Sequence, residues 1–137
     1  MTVKSRLLEL LEQHKGETLS GEDIGRELSC TRAAVWKAVN SLRQEGYPIE
    51  AGPNKGYMLA RESNLISAEG IRLFLKDPQV EIKIFDAISS TNLEARQLAV
   101  SGIAGHGSFV VAMEQTAGRG RRGREFYSPK GSGIYLS

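Results

Sequence analysis

Residues Ser20–Leu42 read SGEDIGRELSCTRAAVWKAVNSL, and their periodicity decides the first half of the chain. Ser20 is a good N-cap, and Glu22 and Asp23 in the following turn complement the helix dipole. Ile24 and Leu28 lie one turn apart and predict the buried face of a short helix. Ser29-Cys30-Thr31 breaks that helix, and Thr31 can cap another. In the next helix Ala34, Val35, Ala38, Val39 and Leu42 share one side, while Arg32, Ala33, Trp36, Lys37 and Asn40 share the other. Gly46 is placed to stop it. A short helix, a tight turn and a helix with a basic outer face form a helix-turn-helix pattern.

Working outward, Leu7, Leu8, Leu10 and Leu11 alternate with Lys4, Arg6, Glu9 and Glu12 as a helical stripe that should end before Gly16. His14 closes that helix as a solvated residue. Downstream, Pro48–Ala51 and Gly56–Leu59 are strand candidates joined by the turn-rich Gly52-Pro-Asn-Lys-Gly56. A hairpin directly after the third helix reads as a wing, with Lys55 near its tip. The candidate DNA-facing residues are Thr31, Arg32, Ala33, Trp36, Lys37 and Lys55, with the start of the third helix in the major groove. Two alternatives stay open on this evidence: a winged domain used for protein contacts, and a spacer. Trp36 also has two places open to it, against the wing or exposed at the DNA surface. Cys30 reads as a small packing residue.

Composition sets the outer bounds. The 137 residues are 40% apolar and 25% charged, which suits a soluble globular chain of one or two small domains. A net charge of +2 is too small for the whole chain to be a polyanion binder. Its distribution is more telling. Residues 31–62 carry five Lys/Arg against three Asp/Glu, and residues 115–130 carry five against one. The single cysteine permits no intrachain disulfide and argues against a metal cluster. No signal-peptide pattern and no membrane-length apolar run stand out, so a cytoplasmic protein is expected.

In the second half, Ser63-Asn-Leu-Ile66 reads as a link. Ser67 then caps a helix with Ile71, Phe74 and Leu75 on its apolar face, ended by Asp77-Pro78. Glu81–Phe85 alternates as a half-buried strand. Ser89-Ser-Thr-Asn92 opens a helix whose apolar residues are Leu93, Leu98 and Val100. These four polar residues are either a helix cap or a compact donor and acceptor set for a ligand. A glycine-rich turn containing His106 leads to an apolar strand, Ser108–Met113.

After that strand comes Gly118-Arg-Gly-Arg-Arg-Gly-Arg124. Glycine amides can turn toward an anion, and arginine offers planar donor forks that match phosphate. A solvated basic loop and a loosely RNA-binding arginine-glycine segment are the alternatives. The loop's few apolar side chains and repelling charges predict mobility before a ligand arrives. Ile134–Leu136 begins one more strand. Strands this few would leave a long open sheet edge, so the chain is expected to be part of a larger protein.

These residues together carry a resemblance. Ser20-Gly-Glu-Asp-Ile-Gly25, Thr31-Arg-Ala-Ala34, Gly56-Tyr57, Ser90-Thr-Asn92, Gln115, Ala117-Gly118, Arg119–Arg124, Tyr127-Ser-Pro129 and Leu136-Ser137 are similar to segments of the bifunctional biotin protein ligases that also repress the biotin operon. The resemblance covers the whole chain and implies an α+β protein. It would be a winged helix-turn-helix domain over 1–62, followed over 63–137 by the incomplete start of a class II synthetase-like biotin ligase α/β domain. It implies biotin contacts at Ser90, Thr91, Asn92, Gln115, Arg119, Gly120 and Arg121. It implies an adenylate loop of Gly118, Arg119, Gly120, Arg121, Arg122, Gly123, Arg124 and Phe126.

The substrates implied are biotin and ATP with Mg2+, and biotinyl-5'-AMP would be both bound intermediate and corepressor. The partners implied are operator DNA, a biotin carboxyl carrier protein and a second copy of the loaded protein. No membrane partner, no resident metal and no catalytic residue within these 137 residues are expected. The family's ligand-binding lysine would fall beyond Ser137, so these residues alone are expected to be inactive. The family often has tryptophan where Phe126 stands, and a polar residue where Trp36 stands. Two other classes remain as alternatives: a winged-helix regulator that senses a ligand without ligase activity, and a winged interaction module with an RNA-binding loop. A pocket joining Ser90–Asn92 to the arginine loop distinguishes the ligase reading from the RNA reading.

Overall fold

The computed structural model describes residues 1–137, which divide into two compact units, Met1–Leu75 and Lys76–Ser137. In the first unit, helix α1 spans Val3–Gln13 and is capped by Thr2, whose hydroxyl accepts from the Ser5 amide at 3.2 Å. Helix α2 spans Gly21–Leu28 and helix α3 spans Arg32–Gln44. Ser20 and Thr31 cap them, each accepting from the amide three residues on. All four leucines of the α1 stripe are buried with Ile24, Leu28, Val35, Val39 and Leu42. Burying each such side chain stabilises the unit by about 1.5–3 kcal/mol relative to exposure.

The turn between α2 and α3 depends on close backbone approach. Ser29 takes the left-handed conformation at φ 53°, and the Cys30 amide donates to the Gly25 carbonyl at 2.9 Å. A Cβ on Gly25 would lie only 2.9 Å from the Cys30 oxygen, so a side chain there would spread the turn. Cys30 packs partly buried against the core, as expected of a small apolar residue.

The wing follows. Strand β1, Ile49–Gly52, pairs antiparallel with β2, Gly56–Leu59, in the register Ile49↔Leu59 to Gly52↔Gly56. Leu19, just before α2, adds a bridge to Tyr57 through two 2.8 Å backbone bonds. Helix and wing are stapled by Arg43, whose Nε donates to the Ile49 carbonyl at 2.9 Å. Lys4 and Glu45 pair α1 with the end of α3.

A short helix α4, Ala68–Arg72, also belongs to this unit. Its cap Ser67 accepts from the Gly70 amide at 2.9 Å and donates to Glu12 of α1 at 3.3 Å. Burial, and then the Glu69 carboxylate, push the phenol of Tyr47 above its ordinary value of 10.0. Below the ordinary value the phenol leaves stability unchanged, and stability falls as pH rises from there through the raised value, because the unfolded chain ionises first. The apolar face expected of Ile71, Phe74 and Leu75 does not form. The helix ends at Arg72, and Phe74 is 89% exposed.

In the second unit β3, Ile82–Phe85, runs parallel to β4, Phe109–Ala112, with helix α5, Thr91–Val100, as the crossover. Strand β5, Tyr135–Leu136, pairs antiparallel with β4. Ile82, Val110, Val111 and Ala112 are buried on the sheet with Leu98 of α5. Of the three apolar residues named for this helix, only Leu98 is buried. Leu93 and Val100 lie about 140° and 160° from it around the helix axis at 3.6 residues per turn, and both are exposed. The last strand is shorter than expected, because Ile134 lies outside it and exposed.

Two glycine replacements separate space from conformation. Gly56 has φ +85°, and a Cβ there would meet the Leu19 oxygen at 2.0 Å, whereas Gly46 has φ +97° in open space. Gly46→Ala should cost about 1 kcal/mol or slightly more from strain alone. Gly56→Ala should cost more, roughly 2–4 kcal/mol, because it also disrupts the Leu19–Tyr57 bridge. Urea unfolding of both variants checks the order.

Candidate functional site

The second unit brings three polar segments to one place. Gln115 follows β4 and bridges to Ile88 on one side and to Ser128 on the other. Its Oε1 accepts from the Thr91 amide at 2.8 Å and from the Thr91 hydroxyl at 3.1 Å. Its Nε2 donates to the Ser128 hydroxyl at 3.0 Å, and that hydroxyl donates to the Phe126 carbonyl at 2.9 Å. The Thr91 hydroxyl also lies 2.7 Å from that of Ser137. Thr91 and Ser128 are almost fully buried. An amide is suited to this position, since it accepts on one side and donates on the other.

This clamp sets the base of the arginine loop. The Gly118 carbonyl accepts from the Phe126 amide at 2.9 Å, and the Gly120 amide donates to the Arg124 carbonyl at 2.7 Å. Arg119 and Glu125 bridge between them. The run is therefore a narrow hairpin, closed by a single 3-10 turn over Arg121–Gly123 in which Arg122 takes φ 60°. Gly118 is required for space. A Cβ would meet the Phe126 oxygen at 2.5 Å and the Ser128 hydroxyl at 2.7 Å.

One side of this hairpin faces α5 across an open groove of about 690 Å³. Ser90, Asn92, Leu93 and Arg96 form one wall, and Arg119, Gly120 and Arg121 form the other. Three guanidinium groups thus line a groove that no carboxylate lines. None of the three is in a salt bridge. Such a site favours an anion with nearby groups for hydrogen bonding. The opposite side of the hairpin carries Arg124, Glu125, Phe126 and Tyr127 beside Gln115. Phe126 is half exposed and meets Tyr135 edge to face, with centroids 6.4 Å apart.

The structure therefore joins Ser90 and Asn92 to Arg119, Gly120 and Arg121. Thr91 and Gln115 sit behind them as the clamp, with only one amide N–H of Gln115 uncommitted. Ser90 also serves as the cap of α5, its hydroxyl accepting from the Leu93 amide. Leu93 and Arg96 were not among the sequence candidates. Their signal was available: Arg96 stands four residues after Asn92 and shares its helix face.

In the first unit Arg32, Ala33, Trp36 and Lys37 are all exposed on α3, which carries no acidic residue. Trp36 is 61% exposed, so of its two possible places it takes the open surface and does not pack against the wing. Thr31 spends its hydroxyl on the cap of α3. Arg32 lines a groove of about 330 Å³ with Asn54 and Gly56 of the wing, and Lys55 is exposed at the wing tip. Arg32, Lys37 and Lys55 make no salt bridge.

The chain is thus a winged helix-turn-helix unit followed by a unit whose sheet bears an arginine-rich hairpin. Residues 3–58 match the HTH domain family, and residues 84–137 match the Biotin/lipoate A/B protein ligase family. Over 138 residues the chain is 42% identical to the bifunctional ligase/repressor BirA of Bacillus spizizenii, covering 99% of this chain and 42% of that one. The corresponding protein of Bacillus subtilis is 41% identical over the same shares. That of Escherichia coli is 38% identical over 136 residues, 99% of this chain and 40% of that one. The chain is similar to these bifunctional ligase/repressor proteins over nearly all of its own length, and it spans about two fifths of theirs.

Replacing Gln115 by alanine should strand Thr91 and Ser128 without their partners. Each buried group left unpaired costs about 1–3 kcal/mol. The second unit should lose roughly 2–4 kcal/mol in denaturant unfolding, with the first unit unaffected.

Proposed function

We propose that the protein is an ATP-dependent biotin ligase that also represses transcription by binding operator DNA. The observation that carries the reading is the groove joining Ser90 and Asn92 to Arg119, Gly120 and Arg121. The ureido ring of biotin needs donors and acceptors: Ser90 and Asn92 supply both kinds from the groove wall, Gln115 has one uncommitted N–H, and Thr91 holds that amide in place. The biotin carboxylate attacks the α-phosphorus of ATP, the bond to the leaving pyrophosphate breaks, and biotinyl-5'-AMP forms. Guanidinium and amide donors of Gly118–Arg124 stabilise the charge that develops there. Phe126 offers an aromatic face on the other side of the hairpin. Mg2+ accompanies the nucleotide in this reading.

The neutral amine of a lysine on the biotin carboxyl carrier protein then attacks the acyl carbon, the acyl–phosphate bond breaks and AMP leaves as the amide forms; otherwise the adenylate serves as corepressor on a dimer bound to the operator. A cytoplasmic location goes with these substrates, and no helix is long and apolar enough to cross a membrane. We assign Thr31, Arg32, Ala33, Trp36, Lys37 and Lys55 to the DNA face, and residues 1–62 to the DNA-binding domain. Residues 63–137 begin the catalytic part. This assignment concerns function; the helix α4 within 63–75 packs on α1 all the same. The 137 residues alone are not expected to complete biotin transfer.

Two experiments test the reading. In the full-length protein, Arg121→Gly should release the adenylate early, so that streptavidin blots of lysate with ATP and biotin show many labelled proteins. Labelling confined to the carrier would remove the retention role from this loop. Amide exchange over residues 116–126 should also slow on loading with biotin and ATP. For the DNA face, Lys55→Ala should weaken binding to all duplexes alike and lower the salt slope by about one. Arg32→Ala should cost about 1–3 kcal/mol on the operator and relax specificity. Gel-shift titrations at several salt concentrations separate the two.

A further inference from the structure

Trp36 is an expensive residue to leave in water, and it is 61% exposed on a helix that has a buried side available. Tryptophan in such a position marks a contact surface, because it offers a large apolar area with little side-chain entropy to lose. Its surroundings select the kind of partner. Arg32 and Ala33 stand four and three residues before it, and Lys37 directly follows, all exposed. From Arg32 to Gln44 there is no carboxylate, and neither Arg32 nor Lys37 is neutralised by a salt bridge. A protein partner would have to bring its own anions to this face, whereas a nucleic acid carries them along its backbone.

We infer that the indole of Trp36 reads a thymine 5-methyl group in the major groove, and so determines part of the operator sequence. The inference rests on the DNA-binding reading above and adds the base to which this helix responds. The geometry supports it in two ways. Trp36 lies in the second turn of α3, beyond the capped end where Arg32 lines the groove shared with the wing. Lys55 at the wing tip can fix phosphates while the outer face of the helix meets base edges. Among the four bases only thymine presents an apolar group in the major groove, and apolar side chains discriminate through it. The indole N–H is a donor only, so it adds no acceptor that would favour cytosine or adenine amino groups. Ala33, one helical turn earlier, leaves room for the large side chain to lie along the groove.

The test uses the full-length protein with biotin and ATP. Binding sites are selected from a random duplex library by the wild type and by Trp36→Ala and Trp36→Phe. The wild type should enrich a thymine in each half-site, Trp36→Ala should lose that enrichment while keeping the rest of the site, and Trp36→Phe should keep part of it. Replacing that thymine by deoxyuridine removes only the methyl group. It should weaken wild-type binding about fourfold, the equivalent of about 0.8 kcal/mol for one buried methyl, and leave Trp36→Ala unchanged. Binding to unrelated duplex should stay within about twofold for all three proteins, since phosphate contacts govern it. Equal thymine enrichment by wild type and Trp36→Ala, or no deoxyuridine effect on the wild type, overturns this inference alone. Absence of any selected site for the wild type overturns the DNA reading and this inference with it. Because Trp36 lies outside the buried core, circular dichroism of the variants should match the wild type.

Discussion

The second unit depends on one side-chain amide. Gln115 holds the start of α5 through Thr91 and the far limb of the arginine hairpin through Ser128, with all three residues largely out of solvent. A buried network of this kind is stabilising only when every member is satisfied. Here the two Oε1 bonds and the Nε2 bond satisfy it from three segments far apart in sequence. The positions of Ser90 and Asn92 relative to Arg119 and Arg121 follow from that clamp. So does the need for glycine at 118, where a methyl group would collide with the clamp itself.

The first unit is organised differently, by apolar burial with backbone approach at two points. Twelve residues from three helices and the wing form its core. Gly25 lets the turn between α2 and α3 close, and Gly56 lets the wing meet Leu19. With the inner face of α3 committed to the core, its outer face is free to carry cations and an exposed indole. The cost of leaving that surface uncovered is consistent with a surface kept for a partner.

The two grooves share a principle. Each is lined by arginine that makes no salt bridge: Arg96, Arg119 and Arg121 in one, and Arg32 in the other. Uncompensated positive charge destabilises a free protein slightly and is relieved by an anionic ligand. The same electrostatic feature thus recurs in the two units, and it is the feature on which both proposed binding roles rest.

Much of this was legible in the sequence because it is local. Caps at Ser20, Thr31, Ser67 and Ser90 follow from residue type and spacing, and the α1 leucine stripe and the buried side of α3 follow from the helical period. The wing follows from its turn residues. What was misread depended on contacts between distant segments. Phe74 has the right composition for a buried face, but the helix stops at Arg72 and leaves it exposed. Thr91 and Gln115 are polar in the way a ligand site requires. Only the tertiary structure decides that most of their hydrogen bonds are spent on each other and on Ser128. Arg96 escaped notice for the converse reason: an arginine on a helix is unremarkable until the fold sets a second basic loop across from it. Periodicity and capping act within a few residues of chain, so the sequence by itself determines them. A site assembled from segments 20 or more residues apart exists only once the chain has closed on itself.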